Sequence, residues 1–536
     1  YRRSHRWRYR ISSQVKESVV TIKVSGASLS RVDRTSTRYQ YLRDVHKKIA
    51  AKDPKTWGPD AAEEAAIRLN WVDLPETSQA LRDEVTAVAS KFSDKSRVVL
   101  CGMGGSSLAP EVLSKTYKRE IIVVDSTDPN YIAHALNGDL SKTVFVVSSK
   151  SGSTIETSSQ RALFQKKVAD AGLDVTQHIV FVTDPGSPLD IETRAAGFTV
   201  VNADPNVGGR FSALSAFGVV PAVLAGIDIW AVLSDASTAK GHFLAFDEVI
   251  LDVAYLFSEV AGQYIGFTDH GSDVPGISDW IEQLIAESTG KDGKGRLPIV
   301  AESVDAAEVG NPFTVAFSDA GADLNVIAPL GAHFIFWEWV TALIGAALEI
   351  DPFNQPNVTE AKEQTLALLN EWKSTGRTTV PHLIPAATEG DVEIFGAGTS
   401  ITESLREIIS TVRDGGYISI MAYLDRKDDA ALEELRALIA SASGKPTTFG
   451  WGPRFMHSTG QFHKAGQPNG TFIQITGEVD CDFEIPGRDF TFATLVAAQG
   501  LGDGKALAKR QYPLLRLHLK NRSAGIEEIL KAARAL

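Results

Sequence analysis

The sequence predicts an α/β protein: two doubly wound parallel-sheet domains, three-layered with helices on both faces, behind a helical N-terminal preface. Three observations carry that expectation. Short β-branched runs alternate with helical stretches from Arg97 to about Leu233. Two of those runs break directly into loops rich in glycine and hydroxyl side chains. A second series of apolar runs begins near Leu297 and continues towards the C-terminus. Alternation of this kind closes into a parallel sheet because each helix returns the chain to start the next strand in the same direction.

The chain of 536 residues is too long for a single core. The pattern divides it into a tail and helical preface over 1–92, a first α/β domain over 93–295 and a second over 296–536. Composition is that of a globular protein, 43% hydrophobic and 22% charged. A net charge of -12 argues against general binding to nucleic acid or an anionic membrane. It leaves room for a local cationic pocket and an anionic small-molecule substrate. Two cysteines, Cys101 and Cys481, make no disulfide framework, and a reducing cytoplasm is the expected location. The most apolar stretch, Ala332 to Ile350, is interrupted by Trp337-Glu338-Trp339 and reads as a buried helix rather than a membrane span.

The first ten residues crowd Arg2, Arg3, Arg6, Arg8 and Arg10 together, as expected of a tail. Helical periodicity runs from Gln40 to Phe92. Strands follow at Val98–Cys101, Ile121–Val124, Val144–Val147, His178–Val182 and Phe198–Asn202. The first ends in Gly102-Met103-Gly104-Gly105-Ser106-Ser107 and the third in Ser148-Ser149-Lys150-Ser151-Gly152-Ser153-Thr154. Free backbone N–H groups, hydroxyls and a helix N-terminus together suit a phosphate dianion. Gly208-Gly209-Arg210 then projects an arginine from a turn before a long apolar helix over Ala213–Leu233. Otherwise, an arginine there bonds local carbonyls. Leu244 to Leu284 reads as helical and leads to Glu287, a carboxylate at the end of an apolar helix and before a glycine turn. That is a place for a general base, or for a plain surface glutamate. In the second region, strands are expected at Leu297–Ala301, Leu324–Ile327, Val392–Phe395, Ile418–Tyr423, Thr447–Phe449 and Phe472–Thr476. Lys362 falls in the first turns of a helix after a proline-bounded loop, and His457 and His463 fall on a loop.

Six patches together resemble the phosphoglucose isomerase family: the two glycine/serine loops, Gly208-Gly209-Arg210-Phe211-Ser212, Glu287-Ser288-Thr289-Gly290-Lys291, Phe353-Asn354-Gln355 through Lys362, and His457-Ser458-Thr459-Gly460-Gln461. The likeness spans roughly residues 95 to 500 and is strongest to the isomerase part of bifunctional transaldolase–isomerases, with no transaldolase domain expected here. It implies sugar-isomerase (SIS-type) domains and interconversion of glucose 6-phosphate and fructose 6-phosphate through a cis-enediol, as in glycolysis and gluconeogenesis.

The resemblance assigns Glu287 as the base that moves the proton between C2 and C1. It assigns His457 and Lys362 to ring opening, and Arg210 to the enediolate. Gly105, Ser106, Ser149, Lys150, Ser151 and Thr154 fall to the phosphate. No cofactor and no metal is implied, and a homodimer is expected because the family's histidine reaches the partner subunit's site. The chain departs from the family pattern at Asn357 and Thr359, and its histidine patch follows the lysine patch instead of preceding it. His463 is therefore the alternative to His457, and Lys505 a weaker alternative to Lys362. Two other functions fit the same motifs: a non-catalytic sugar-phosphate binder, and an isomerase for mannose 6-phosphate or an amino-sugar phosphate.

Overall fold

The computed structural model describes residues 22–374 and 383–536. The arginine-rich first ten residues lie outside them. The strands fall into three sheets.

The first sheet is fully parallel. Its spatial order is Ile122–Val124, Arg97–Cys101, Thr143–Ser148, Ile179–Thr183 and Thr199–Asn202. This is a doubly wound order, in which the chain starts inside and builds outwards both ways. The period-two geometry of a strand sends alternate side chains to opposite faces. Val98, Leu100, Val144, Val146, Val180 and Val182 pack on one side in the largest core. Val99, Cys101, Phe145, Val147, Ile179 and Phe181 pack on the other, against helix Ile155–Asp170 and its neighbours. Burial on both faces explains why the strands read as unbroken apolar runs.

The second sheet has the order Lys23–Ser25, Leu324–Ile327, Phe313–Ala316, Tyr264–Thr268 and Leu297–Val300, with only the first strand antiparallel. Two expectations are corrected here. Tyr264–Thr268 is a strand inside the stretch read as helical, and it pairs with Leu297–Val300 across the boundary set at 295/296. The strand is too short and too closely flanked by helices for its alternation to register. The apolar stretch over Ala213–Leu233 is also divided, into helices Ala216–Leu224 and Ile229–Ala245, broken at Gly226 with φ 75°.

The third sheet has the order Ala387–Glu389, Val392–Phe395, Leu514–Leu519, Gly470–Gly477, Tyr417–Tyr423 and Thr447–Trp451, parallel over its last four strands. It carries its own core, built with helices Ile401–Ser410, Glu434–Ser443 and Arg522–Ala533. The region 296–536 thus contributes to two sheets.

Helix Leu330–Ala347 is long and apolar enough for a membrane span, yet every residue in it is buried within the fold. It packs against helix Ile229–Ala245 so closely that a Cβ on Gly331 would sit 2.0 Å from the Val232 carbonyl oxygen. Glu338 lies fully buried on this helix, and neither carboxylate oxygen has a hydrogen-bond partner among the described residues. Burial pushes its pKa well above the ordinary value. A raised folded-state pKa stabilises below the unfolded value and loses that contribution as pH rises towards the folded one. Glu338→Gln is therefore expected to flatten the pH dependence of stability above about pH 4.5. The wild type should lose stability relative to the variant as pH rises above that value, measured by urea unfolding from pH 5 to 8.

Candidate active site

The loops after the first sheet's strands all emerge at its carboxyl edge, where ligands of such sheets bind. Gly105 sits where two of them touch. A Cβ there would lie 2.0 Å from the Gly209 carbonyl oxygen, so only glycine lets the 102–107 loop reach the 208–211 turn. That turn carries Arg210 inward, 4% exposed. Its Nε donates to Ser288 Oγ at 2.7 Å and its Nη1 to Gln355 Oε1 at 3.0 Å. Its Nη2 donates to the carbonyls of Pro352 and Asn354. The carbonyls it bonds are 142 and 144 residues away in sequence, not local ones, and it also lies 3.2 Å from Glu287 Oε1. Burial pushes the Arg210 pKa down from its usual value, and Glu287 opposes that shift.

Glu287 belongs to helix Ile277–Thr289, buried at every position except Asp279. It is 8% exposed, so the surface-glutamate reading fails. Its Oε2 accepts from Gln283 Nε2 at 3.0 Å, and the same amide donates to the His457 carbonyl at 2.7 Å. Gln283 joins the pair to the histidine patch, and no local sequence signal marks it. Lys291, one turn on, is buried with its Nζ on the Asp351 carbonyl. Burial, reinforced by Arg210, holds its pKa well below the ordinary value.

His457 ends the turn Arg454–His457 that follows strand Thr447–Trp451 of the third sheet. Its Nε2 lies 3.0 Å from Glu156 Oε1, in the first turn of the helix opened by the second glycine/serine loop. Gln499 Nε2 donates to the same oxygen at 2.7 Å and receives a hydrogen bond from Thr127. Burial raises the Glu156 pKa, but His457, the Glu156 backbone N–H and Lys362 together outweigh it, and the net value lies below the ordinary one. An acid in a first helical turn ordinarily reads as a dipole complement. Its burial against a histidine 301 residues away leaves no trace in sequence. His457 thus reaches Glu156 within the chain.

His463 is not a site residue. It is buried between Tyr417 Oη at 2.8 Å and Ser419 Oγ at 3.3 Å, and burial pushes its pKa down to about 3. Lys505 is exposed on helix Phe492–Ala508 and lines none of this site.

His457 and Glu156 line a cavity of about 210 Å³ with Lys362, Thr154, Ser153 and Arg488. Lys362 is exposed at its edge, on helix Val358–Ser374. Thr154 is the N-cap residue of helix Ile155–Asp170 and makes no capping bond through its side chain. The phosphate-loop expectations divide. Lys150 Nζ pairs with Asp184 Oδ2 at 2.7 Å and donates to the Pro205 carbonyl at 2.9 Å. Ser149 Oγ accepts from the Gly152 N–H within its own turn, and Ser151 Oγ bonds Ser153 Oγ at 2.7 Å. Ser106 is half-buried beside Gly105. The departure at Asn357 also has a structural reason. Gln461 takes a hydrogen bond from its backbone N–H and donates to its side chain, both at 3.0 Å, and donates to the Gly290 carbonyl as well.

Residues 78–270 match the family model described as phosphoglucose isomerase. The match covers the first sheet, both loops and Arg210, and stops short of Glu287, Lys362 and His457. The chain is 32% identical over 284 residues to a probable glucose-6-phosphate isomerase of Natronomonas pharaonis, covering 51% of this chain and 62% of that one. It is 34% identical over 239 residues to a glucose-6-phosphate isomerase of Campylobacter jejuni, covering 42% and 57%. The chain thus spans about three fifths of the length of these curated relatives. A crystal structure of a glucose-6-phosphate isomerase from Chlamydia trachomatis superposes with a TM-score of 0.52 over 66% of this chain and 89% of that one, at 19% identity, which shows a shared fold. The phosphoglucose isomerase likeness read from the motifs stands.

Gly105→Ala is expected to force the two loops apart and to cost about 1–3 kcal/mol of stability. A lower urea midpoint with an unchanged slope is the expected readout.

Proposed function

We propose that the protein interconverts glucose 6-phosphate and fructose 6-phosphate, moving one proton between adjacent carbons through a cis-enediol. The observation that carries this reading is the buried Arg210–Glu287 contact of 3.2 Å, tied through Gln283 to the main chain of His457. It is supported by the family match and by the names of the relatives.

In this reading Glu287 is the base. The proton it removes from one carbon returns to the next, while negative charge collects on the enediolate oxygens. Arg210 supplies a fixed cation beside that charge, already oriented by Ser288 and the carbonyls of Pro352 and Asn354, so little reorganisation is needed as charge develops. His457, oriented by Glu156, and Lys362 act on the ring oxygen and the adjacent hydroxyl during ring opening. Ser153, Thr154 and the first turn of helix Ile155–Asp170 receive the phosphate, with Arg488 at the cavity edge. Fixing the phosphate fixes the reacting carbons. The expected place of action is the cytoplasm. Any homodimer would add to a site whose named groups already come from one chain.

Glu287→Gln is expected to lower turnover by at least about 100-fold while fructose 6-phosphate still binds. A coupled assay against isothermal titration checks both, and turnover above a tenth of wild type rejects the assignment. Arg210→Gln should lower kcat by about 10²–10³, with KM changing far less. Fructose 6-phosphate and mannose 6-phosphate assayed side by side fix the sugar.

A further inference from the structure

A larger cavity, about 440 Å³, lies on the third sheet, well within the range of small-molecule sites. Two cross-strand rows form its floor. Phe395 and Arg516 are register partners in one row, and Glu393 and His518 in the next. On the other side of His518 stands Thr476, at the carboxyl end of strand Gly470–Gly477. The opposite wall is apolar: Ala493, Val496, Ala497 and Leu501 of helix Phe492–Ala508. This helix covers only part of the sheet face and leaves the Phe395–Arg516 row open to the cavity.

Arg516 is the informative residue. Its Cζ lies 3.9 Å from the centre of the Phe395 ring. Its Nε is buried without a hydrogen-bond acceptor, and the guanidinium makes no hydrogen bond or ion pair among the described residues. Leaving a buried charged donor unmatched is costly, and folded proteins rarely do it without a use. The other ionisable groups on the cavity are accounted for. His518 bonds Thr476 Oγ1 at 2.9 Å and Glu478 Oε1 at 3.3 Å. Glu393 acts on Arg516 through space only, and Lys520 is an exposed cation at the rim.

We infer that this cavity is a second ligand site, taking a small organic anion whose carboxylate or phosphate meets Arg516 and Lys520 while an apolar body lies between Phe395 and helix Phe492–Ala508. A planar guanidinium stacked on a ring, with its donors unspent, is suited to a bidentate oxyanion. The site is separate from the one described above, since its lining shares no residue with the His457 cavity. Helix Phe492–Ala508 stands between them. Its Val496 and Ala497 face this cavity, and its Gln499 holds Glu156. The inference does not depend on the isomerase reading.

Isothermal titration of the full chain with benzoate, phenyl phosphate and benzyl alcohol tests it. Saturable binding of benzoate, phenyl phosphate or both is expected, with benzyl alcohol at least about tenfold weaker. Binding of benzoate alone identifies carboxylic acids as the class, and binding of phenyl phosphate alone identifies phosphate esters. Arg516→Leu should weaken the bound probe at least about tenfold, and Ala497→Trp, which fills the cavity from the other wall, should abolish binding. Neither variant should unfold below the wild-type urea midpoint. Saturating fructose 6-phosphate should leave the titration unchanged. Three results would overturn the inference: no saturable binding of either anion at millimolar concentration, equal binding by Arg516→Leu and wild type, or displacement of the probe by fructose 6-phosphate.

Discussion

The structure depends on one buried charge. Taking a guanidinium out of water costs several kcal/mol unless its donors are matched, and Arg210 is matched from two segments. Glu287 and Ser288 come from helix Ile277–Thr289, and the carbonyls of Pro352 and Asn354 and the side chain of Gln355 come from the loop after helix Leu330–Ala347. Each partner lies far from Arg210 in sequence. The arginine therefore ties together segments of the chain that no local preference would bring into contact.

The surrounding packing serves that convergence. Gly105 lets one loop lie on the turn that bears Arg210. Gln461 fixes the end of the proline-bounded loop through Asn357 and ties it to Gly290. Gln283 spans from the carboxylate to the histidine turn. Gln461 both donates and accepts, Gln283 donates twice through one amide nitrogen, and each bridges two groups without adding charge. The result is a carboxylate and a cation held in contact, next to a cavity bearing a histidine–carboxylate pair. This is preorganisation: the groups are placed before any substrate arrives.

The legible part of this arrangement was the part with a local signature. The five parallel strands of the first sheet are β-branched runs buried on both faces, so their composition alone marks them. Arg210 and Glu287 stand in short motifs whose glycines and hydroxyls are unusual enough to single out. What escaped was set by distant partners. Lys150 pairs with Asp184, on the loop after the next strand, a contact no local pattern announces. Glu156 went unmarked because its partner is 301 residues away. His463 and His457 were alike as sequence, and only the aromatic packing of Tyr417 and Phe472 around His463 separates a core histidine from a site histidine. Tyr264–Thr268 was hidden for a similar reason, since its strand character comes from neighbours at Leu297–Val300 and Phe313–Ala316.

The central claim is that Glu287 carries a carbon-bound proton beside the Arg210 cation. A proton held on a carboxylate exchanges with solvent, so the reaction run in D₂O should leave a mark on the sugar. Glucose 6-phosphate incubated with the wild-type protein in D₂O and followed by proton NMR is predicted to lose its C2–H signal faster than its C1–H signal, and the fructose 6-phosphate formed to carry deuterium at C1, with neither change in Glu287→Gln. Deuterium entering at C2 at the same rate in that variant, or ketose formed by the wild type with no label entering at all, would contradict the account.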